Sequence, residues 1–232
     1  MTTPLRVAVL LLALAATALA PLSPQTPTGY YYLDPRRIDL TVLLPPPPEA
    51  GSPEARADMQ EVTAAVAARS PAQLLEAREA SVRSVFFFAP SVGAGFTPDR
   101  LPLTAAFFEH VGADVARLIA SAKRYWERPR PDGAGRKHGS YPSGHAAFAS
   151  ASAIVLAQLL PEHRYAIFSQ ARIFAANRIL MGLHYPTDIA SGWTAGTLAA
   201  YVMLHDAAFR RDFARVQAEL RGAHFTAAAA AR

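Results

Sequence analysis

The sequence contains no cysteine, which excludes structural disulfides and thiolate metal sites in this chain. Charge is also sparse, since 23 basic and 18 acidic residues among 232 leave a formal net charge of +5. This small, dispersed excess is compatible with anionic ligands but does not predict nucleic-acid binding. The alternating apolar and polar positions of β-strands are missing, and no internal repeat is present. The chain is therefore predicted to form one all-α domain.

Long apolar runs are missing as well, apart from one near the N-terminus. Residues 7–20 read VAVLLLALAATALA after Arg6, which is shorter than the roughly 20 residues of a membrane span. The run ends in the small-residue pattern of a cleavage site. It predicts a signal peptide over residues 1–20 and a periplasmic or secreted protein without stable membrane insertion after cleavage. An N-terminal membrane anchor is the alternative.

The rest of the chain divides into three parts. Residues 21–52 form a proline-rich strap that contains PPPP at 45–48. Residues 53–222 are predicted to form a single-domain helical bundle, and residues 223–232 a frayed tail. Apolar periodicity and capping residues predict helices over 53–69, 71–80, 102–125, 143–160, 161–182, 186–205 and 207–221.

Three separated segments concentrate polar residues: KRYWERPRP, YPSGH and NRILMGLHYPTD, which begin at residues 123, 141 and 177. Lys123, Arg130 and Arg178 are three cations without matching carboxylates in their own motifs. Ser143 and Gly144 begin a predicted helix, where backbone N–H groups favour an anion. A tetrahedral oxyanion such as phosphate fits this combination.

Two histidines remain for proton transfer and covalent chemistry. Asp188 follows His184 by four residues and is placed to hold one ring nitrogen while the other attacks. His145 follows directly on Gly144. The other histidines and carboxylates show no metal-ligand spacing, so neither a metal nor a cofactor is expected.

The three motifs resemble those of the type-2 phosphatidic acid phosphatase superfamily. Lys123 is followed after six residues by Arg130 and Pro131, YPSGH contains Pro-Ser-Gly-His, and Arg178, His184 and Asp188 keep the spacing of the third motif. The signal sequence, the strap and the phrase GSYPSGH are most similar to the secreted bacterial class A non-specific acid phosphatases. The resemblance implies a helical core of the acid phosphatase and vanadium haloperoxidase type. It also implies metal-independent hydrolysis of phosphate monoesters through a phosphohistidine.

The resemblance also implies a role for each motif residue. His184 is the nucleophile, Asp188 orients it, and His145 protonates the leaving group and then activates water. The expected phosphate ligands are Lys123, Arg130, Ser143, Gly144 and Arg178.

The chain departs from the family pattern at two places. Asn177 takes the place of the usual serine before Arg178, and only ten residues, 132–141, separate Pro131 from Pro142. The short loop predicts a more open pocket.

Three other functions stay open: a membrane lipid-phosphate phosphatase, a vanadium-dependent haloperoxidase and a phosphate-binding protein without turnover. The expected partners are small phosphate monoesters. A homo-oligomer is also left open.

Overall fold

The computed structural model describes residues 21–134, 138–223 and 225, and these residues contain helices and no β-strand. The predicted all-α fold is therefore confirmed. The predicted signal peptide and most of the predicted tail lie outside the described residues. The α-helices are α1 Leu40–Leu43, α2 Pro53–Ala68, α3 Pro71–Glu79, α4 Ala89–Val92, α5 Pro102–Trp126, α6 Gly144–Leu159, α7 Arg164–Leu180, α8 Pro186–Leu204 and α9 Ala207–Gly222.

Several helices begin where a side chain accepts from their first backbone amides. Ser70 accepts from the amide of Gln73 at 3.1 Å, and the Gln73 side chain in turn accepts from the amide of Ser70 at 2.8 Å. Across the bundle, Glu219 of α9 caps α5, since its carboxylate accepts from the amides of Leu103 and Thr104.

The structure adds two features to the predicted helices. Residues 85–92 form two short helices. The aromatic run of the 3-10 helix Val85–Phe88 packs on the core, and α4 follows with Pro90 in its first turn. Pro161 opens a separate 3-10 turn, Pro161–His163, before α7 begins.

Helix α6 lies at the centre of the bundle and packs on α5, α7 and α8. It is rich in alanine and serine, so a neighbouring helix can approach closely. A Cβ on Gly196 of α8 would overlap the carbonyl oxygen of Ala147 and the hydroxyl of Ser150. The Ser150 hydroxyl donates to the carbonyl of Trp193 at 2.9 Å. This contact fixes the relative position of α6 and α8, which each begin at the site described below.

The proline-rich strap packs along the bundle and contributes buried side chains to the core. The buried carboxylate of Asp114 accepts from the amides of Tyr31, Tyr32 and Leu33 at 2.8 to 2.9 Å. The strap also contains α1, where irregular structure was expected. None of the helices in the described residues is long and apolar enough to cross a membrane.

Candidate active site

The second and third motifs meet where α6 and α8 begin. The amide of Ser143 donates to the carbonyl of Asp188 at 2.9 Å. The Ser143 hydroxyl caps α6 by accepting from the amide of Ala146 at 3.3 Å. Among the described residues, no backbone carbonyl accepts from the amides of Gly144 and His145. Two amides in the first turn of a long helix are therefore available to an anion.

His184 is buried, with 2% of its surface exposed, and its two ring nitrogens have different partners. Nδ1 lies 3.2 Å from Oδ2 of Asp188, and Nε2 lies 3.2 Å from Nη1 of Arg130. A carboxylate only accepts and a guanidinium only donates, so the proton is on Nδ1 and the lone pair is on Nε2. This is the tautomer that a nucleophilic histidine requires.

Burial lowers the pKa of His184 to about 4, even though the carboxylate of Asp188 acts in the opposite direction. Lys123 and Arg130 lower it further by charge repulsion. The neutral imidazole therefore persists well into the acid range, and Nε2 stays available for attack.

Asp188 is fully buried and is held by more groups than His184 alone. Its Oδ2 also accepts from the amide of Tyr185 at 2.9 Å, and its Oδ1 accepts from Nη1 of Arg128 at 2.7 Å. Burial alone raises the pKa of Asp188, but the bond from His184 and the charge of Arg128 hold it below its ordinary value. The carboxylate therefore stays ionised and keeps the proton of His184 on Nδ1.

Arg128 connects this carboxylate to a second one on α2. Its Nη2 donates to Oδ2 of Asp58 at 2.7 Å, and both side chains are buried. Thr187 donates its hydroxyl and its amide to Asp58. Arg128 thus pairs with both buried carboxylates, in a place where an unpaired ion would be costly.

Lys123 is also buried, with 9% of its surface exposed. Its Nζ donates to the carbonyls of Gly139 at 2.6 Å and Ser140 at 2.7 Å, which leaves one N–H for a ligand. Burial, together with repulsion from Arg130, lowers the pKa of Lys123 to about 7. The charge of this cation therefore depends on pH near neutrality.

The two arginines of the site are held by the backbone and by helix α7. Nη1 of Arg130 donates to the carbonyl of Leu183 at 2.8 Å, so the guanidinium lies over Nε2 of His184. Arg178 is buried in the last turn of α7, and its Nη1 contacts Sδ of Met181 at 3.4 Å. Both charges lie close enough to the histidines to lower their pKa values.

His145 faces the site from the first turn of α6. Its Nε2 lies 3.1 Å from the carbonyl oxygen of Ser81, to which it donates. Burial, together with the charges of Arg178 and Arg83, lowers the pKa of His145 to about 3. In the free protein the ring is therefore neutral, and a proton reaches it only when an anion offsets these charges.

The structure thus brings all eight predicted site residues to one place, while their individual roles stay predictions. The sequence did not predict four further residues at the site: Asp58, Arg128, Ser81 and Arg83. Arg128 carries a visible signal, because it forms a second Arg-Pro pair directly before Arg130 and Pro131. The predicted openness of the pocket depends partly on residues 135–137, which lie outside the described residues.

Comparison with known proteins identifies relatives of this chain. A model of the PAP2 superfamily matches residues 104–212, which include all three motifs. A non-specific acid phosphatase of Salmonella typhimurium is 31% identical over 203 residues, covering 79% of this chain and 80% of that protein. An acid phosphatase of Zymomonas mobilis is 30% identical over 226 residues, covering 88% and 82%.

A shorter similarity extends to an undecaprenyl-diphosphatase of Sulfolobus acidocaldarius, with 31% identity over 64 residues that cover 27% of this chain and 31% of that protein. The predicted family and the predicted phosphatase activity are both confirmed by the similarity over most of the chain. The chain therefore belongs to the PAP2 superfamily, and it is a phosphatase related over most of its length to the non-specific acid phosphatases.

Proposed function

We propose that the protein is a metal-independent acid phosphatase that hydrolyses small phosphate monoesters through a phosphohistidine at His184. The observation that carries this proposal is the tautomer of His184, whose Nε2 lone pair points at the guanidinium of Arg130. An oxyanion bound to Arg130 would take the place of this contact and bring phosphorus next to Nε2.

In the first half of the reaction, the Nε2 lone pair forms the N–P bond while the ester P–O bond breaks. His145 gives its proton to the departing oxygen. Lys123, Arg130 and Arg178 stabilise the negative charge on the equatorial oxygens, aided by the amides at the start of α6. Asp188 stabilises the positive charge that the ring of His184 acquires.

In the second half, His145 takes a proton from water, the resulting hydroxyl oxygen attacks phosphorus, and the N–P bond breaks. His184 returns to its neutral form, and the proton that His145 took from water leaves with the product as the phosphate monoanion, so His145 is again neutral and each proton and bond is accounted for. Among the described residues, no group of three histidines or carboxylates is placed to hold a metal ion. The proposed mechanism uses the three cations for the charge that a metal would otherwise supply.

The preference for acid follows from the site. His145 has a pKa of about 3 in the free protein, so it needs a proton that arrives with the substrate. A phosphate monoester has a second pKa of about 6, and below it the monoanion carries this proton. Export from the cytoplasm is part of the proposal and depends on the predicted signal peptide over residues 1–20.

The direct test is turnover of p-nitrophenyl phosphate at acid pH after exhaustive dialysis against EDTA. Nearly unchanged turnover is expected. A loss that zinc or magnesium restores would contradict a metal-free mechanism. The companion measurement is bromide oxidation by the vanadate-loaded protein. Activity above background would support the vanadium-dependent haloperoxidase instead.

The short similarity to an undecaprenyl-diphosphatase favours a lipid phosphate as a second candidate substrate class. The test is hydrolysis of phosphatidate in detergent micelles beside a water-soluble alkyl phosphate. Faster turnover of the micellar substrate would favour the lipid phosphatase, and faster turnover of the soluble one would favour the proposal above.

A further inference from the structure

The segment that joins α3 to the 3-10 helix Val85–Phe88 lies against the site. The carbonyl of Ser81 accepts from Nε2 of His145 at 3.1 Å, which fixes this segment beside the predicted general acid. Two residues later, Nη1 of Arg83 lies 3.8 Å from the position that a Cβ on Gly144 would occupy. The guanidinium of Arg83 therefore lies at the start of α6, beside the amides that are available to an anion.

Arg83 differs from the other cations of the site in its exposure and its partners. Its side chain is exposed, and within the described residues no hydrogen bond or ion pair engages its guanidinium. Glu109 lines a cavity of about 270 Å³ together with Arg83, but the two side chains form no ion pair. The guanidinium is therefore available to an external acceptor.

The balance of charge indicates what that acceptor is. Asp188 is paired with Arg128, so it does not neutralise the phosphate-binding cations. Lys123, Arg130 and Arg178 already match or exceed the charge of a phosphoryl dianion. Arg83 therefore adds a positive charge that the transferred phosphoryl group does not need. It adds this charge beside His145, where the leaving group is expected to lie.

We propose that Arg83 forms a subsite for a second acidic group carried by the leaving group, and that the enzyme therefore hydrolyses phosphoanhydrides as well as simple monoesters. This inference rests on the proposed function, since it places the leaving group beside His145. A guanidinium binds a phosphoryl group through two parallel hydrogen bonds, a geometry that a neutral leaving group cannot use. In diphosphate the P–O–P bond would break, and the departing phosphate would take the proton of His145.

The experiment compares kcat/KM for inorganic diphosphate and for phenyl phosphate in the wild type and in Arg83→Gln. Losing a charge-assisted bond to the second phosphoryl group is expected to lower kcat/KM for diphosphate about 10- to 100-fold. The value for phenyl phosphate is expected to fall much less, by under about fivefold, because only the general attraction of the charge is lost. Arg83→Lys is expected to restore part of the diphosphate activity.

Arg78→Gln is the matched control, because Arg78 is an exposed arginine on α3, and it is expected to leave both values unchanged. A normal phenyl phosphate activity with an unaltered ratio of the two substrates in Arg83→Gln would overturn the subsite alone. Wild-type protein that hydrolyses neither substrate would contradict the proposed function instead. Thermal melting of each variant shows whether a loss of activity reflects unfolding. If Arg83→Gln does not fold, the ratio of the two substrates is compared between the wild type and Arg83→Lys instead.

Discussion

Nη1 of Arg128 lies 2.7 Å from Oδ1 of Asp188, on the carboxylate oxygen that does not face His184. The other end of the same guanidinium donates to Asp58 on α2. The carboxylate that orients the nucleophile is thus itself oriented through Arg128 by Asp58, a residue of α2 that lies outside all three motifs. We therefore expect α2 to affect both the stability and the activity of the enzyme.

Replacing Asp58 with asparagine should leave Arg128 with one carboxylate instead of two. Breaking a buried ion pair of this kind costs roughly 3 kcal/mol of unfolding free energy. Because Asp188 loses its fixed position, kcat should also fall by roughly 10- to 100-fold. Urea unfolding and steady-state kinetics measure the two effects.

The matched control for this change is Asp34→Asn, which breaks an Asp–Arg pair of 2.8 Å at the surface. Solvent screens that pair, so stability and kcat should hardly change. If Asp58→Asn lowered stability and kcat no more than Asp34→Asn does, the buried contacts from Asp58 to His184 would be unimportant for both properties.

The pKa of Lys123 predicts that anion binding depends on pH. Below pH 7 the free protein already carries the charge, whereas above pH 7 binding requires uptake of a proton. Sulfate is a suitable probe, because its own charge does not change in this range. Its inhibition constant should rise by about tenfold per pH unit above 7.

Lys123→Arg is the control for this dependence, since arginine does not titrate in proteins. The rise in the inhibition constant for sulfate should disappear in that variant. A rise of the same steepness in wild type and Lys123→Arg would assign the titration to another group.

The close contact of α6 and α8 makes Gly196 sensitive to a single methyl group. A Cβ at this position would meet backbone and a buried hydroxyl, neither of which can move aside within the helix pair. Gly196→Ala should therefore lower the free energy of unfolding by about 3 kcal/mol, at the upper end of the range for overpacking.

Gly222→Ala is the comparison, because a Cβ there has no atom within 4 Å in the described structure. Its stability should stay within about 0.5 kcal/mol of the wild type. Chemical denaturation measures the stability of both variants. An unchanged free energy of unfolding in Gly196→Ala would show that α6 and α8 can separate at little cost.

The eight residues that the structure brings together could be selected from the sequence because each of them lies in one of three short segments, and their roles stay predictions. The signals for the helices were equally local, such as Ser70 before Pro71 at the start of α3 and Pro102 at the start of α5. Asp58 could not be predicted in this way, since it is one of several charges on α2 and only its burial against Arg128 distinguishes it. Arg83 could not be predicted either, since it reaches the site only because its segment packs against the start of α6.

His145 should be distinguishable from His184 by the leaving group of the substrate. An alkyl phosphate leaves as a basic alkoxide and needs the proton of His145, whereas nitrophenolate needs it much less. His145→Ala should lower phosphorylation by the alkyl substrate roughly 100- to 10,000-fold and phosphorylation by p-nitrophenyl phosphate far less. Single-turnover kinetics measure both, and equal losses would count against His145 as the acid.

The central claim is that Nε2 of His184 forms a bond with phosphorus. The most direct measurement is a single-turnover reaction quenched in alkali, followed by mass spectrometry of the peptides. The account predicts an acid-labile phosphoryl group on residue 184, its loss in His184→Ala, and its retention in the control His205→Ala, which changes an exposed histidine. A phosphoryl group on any other residue, or one that persists in His184→Ala, would contradict the account.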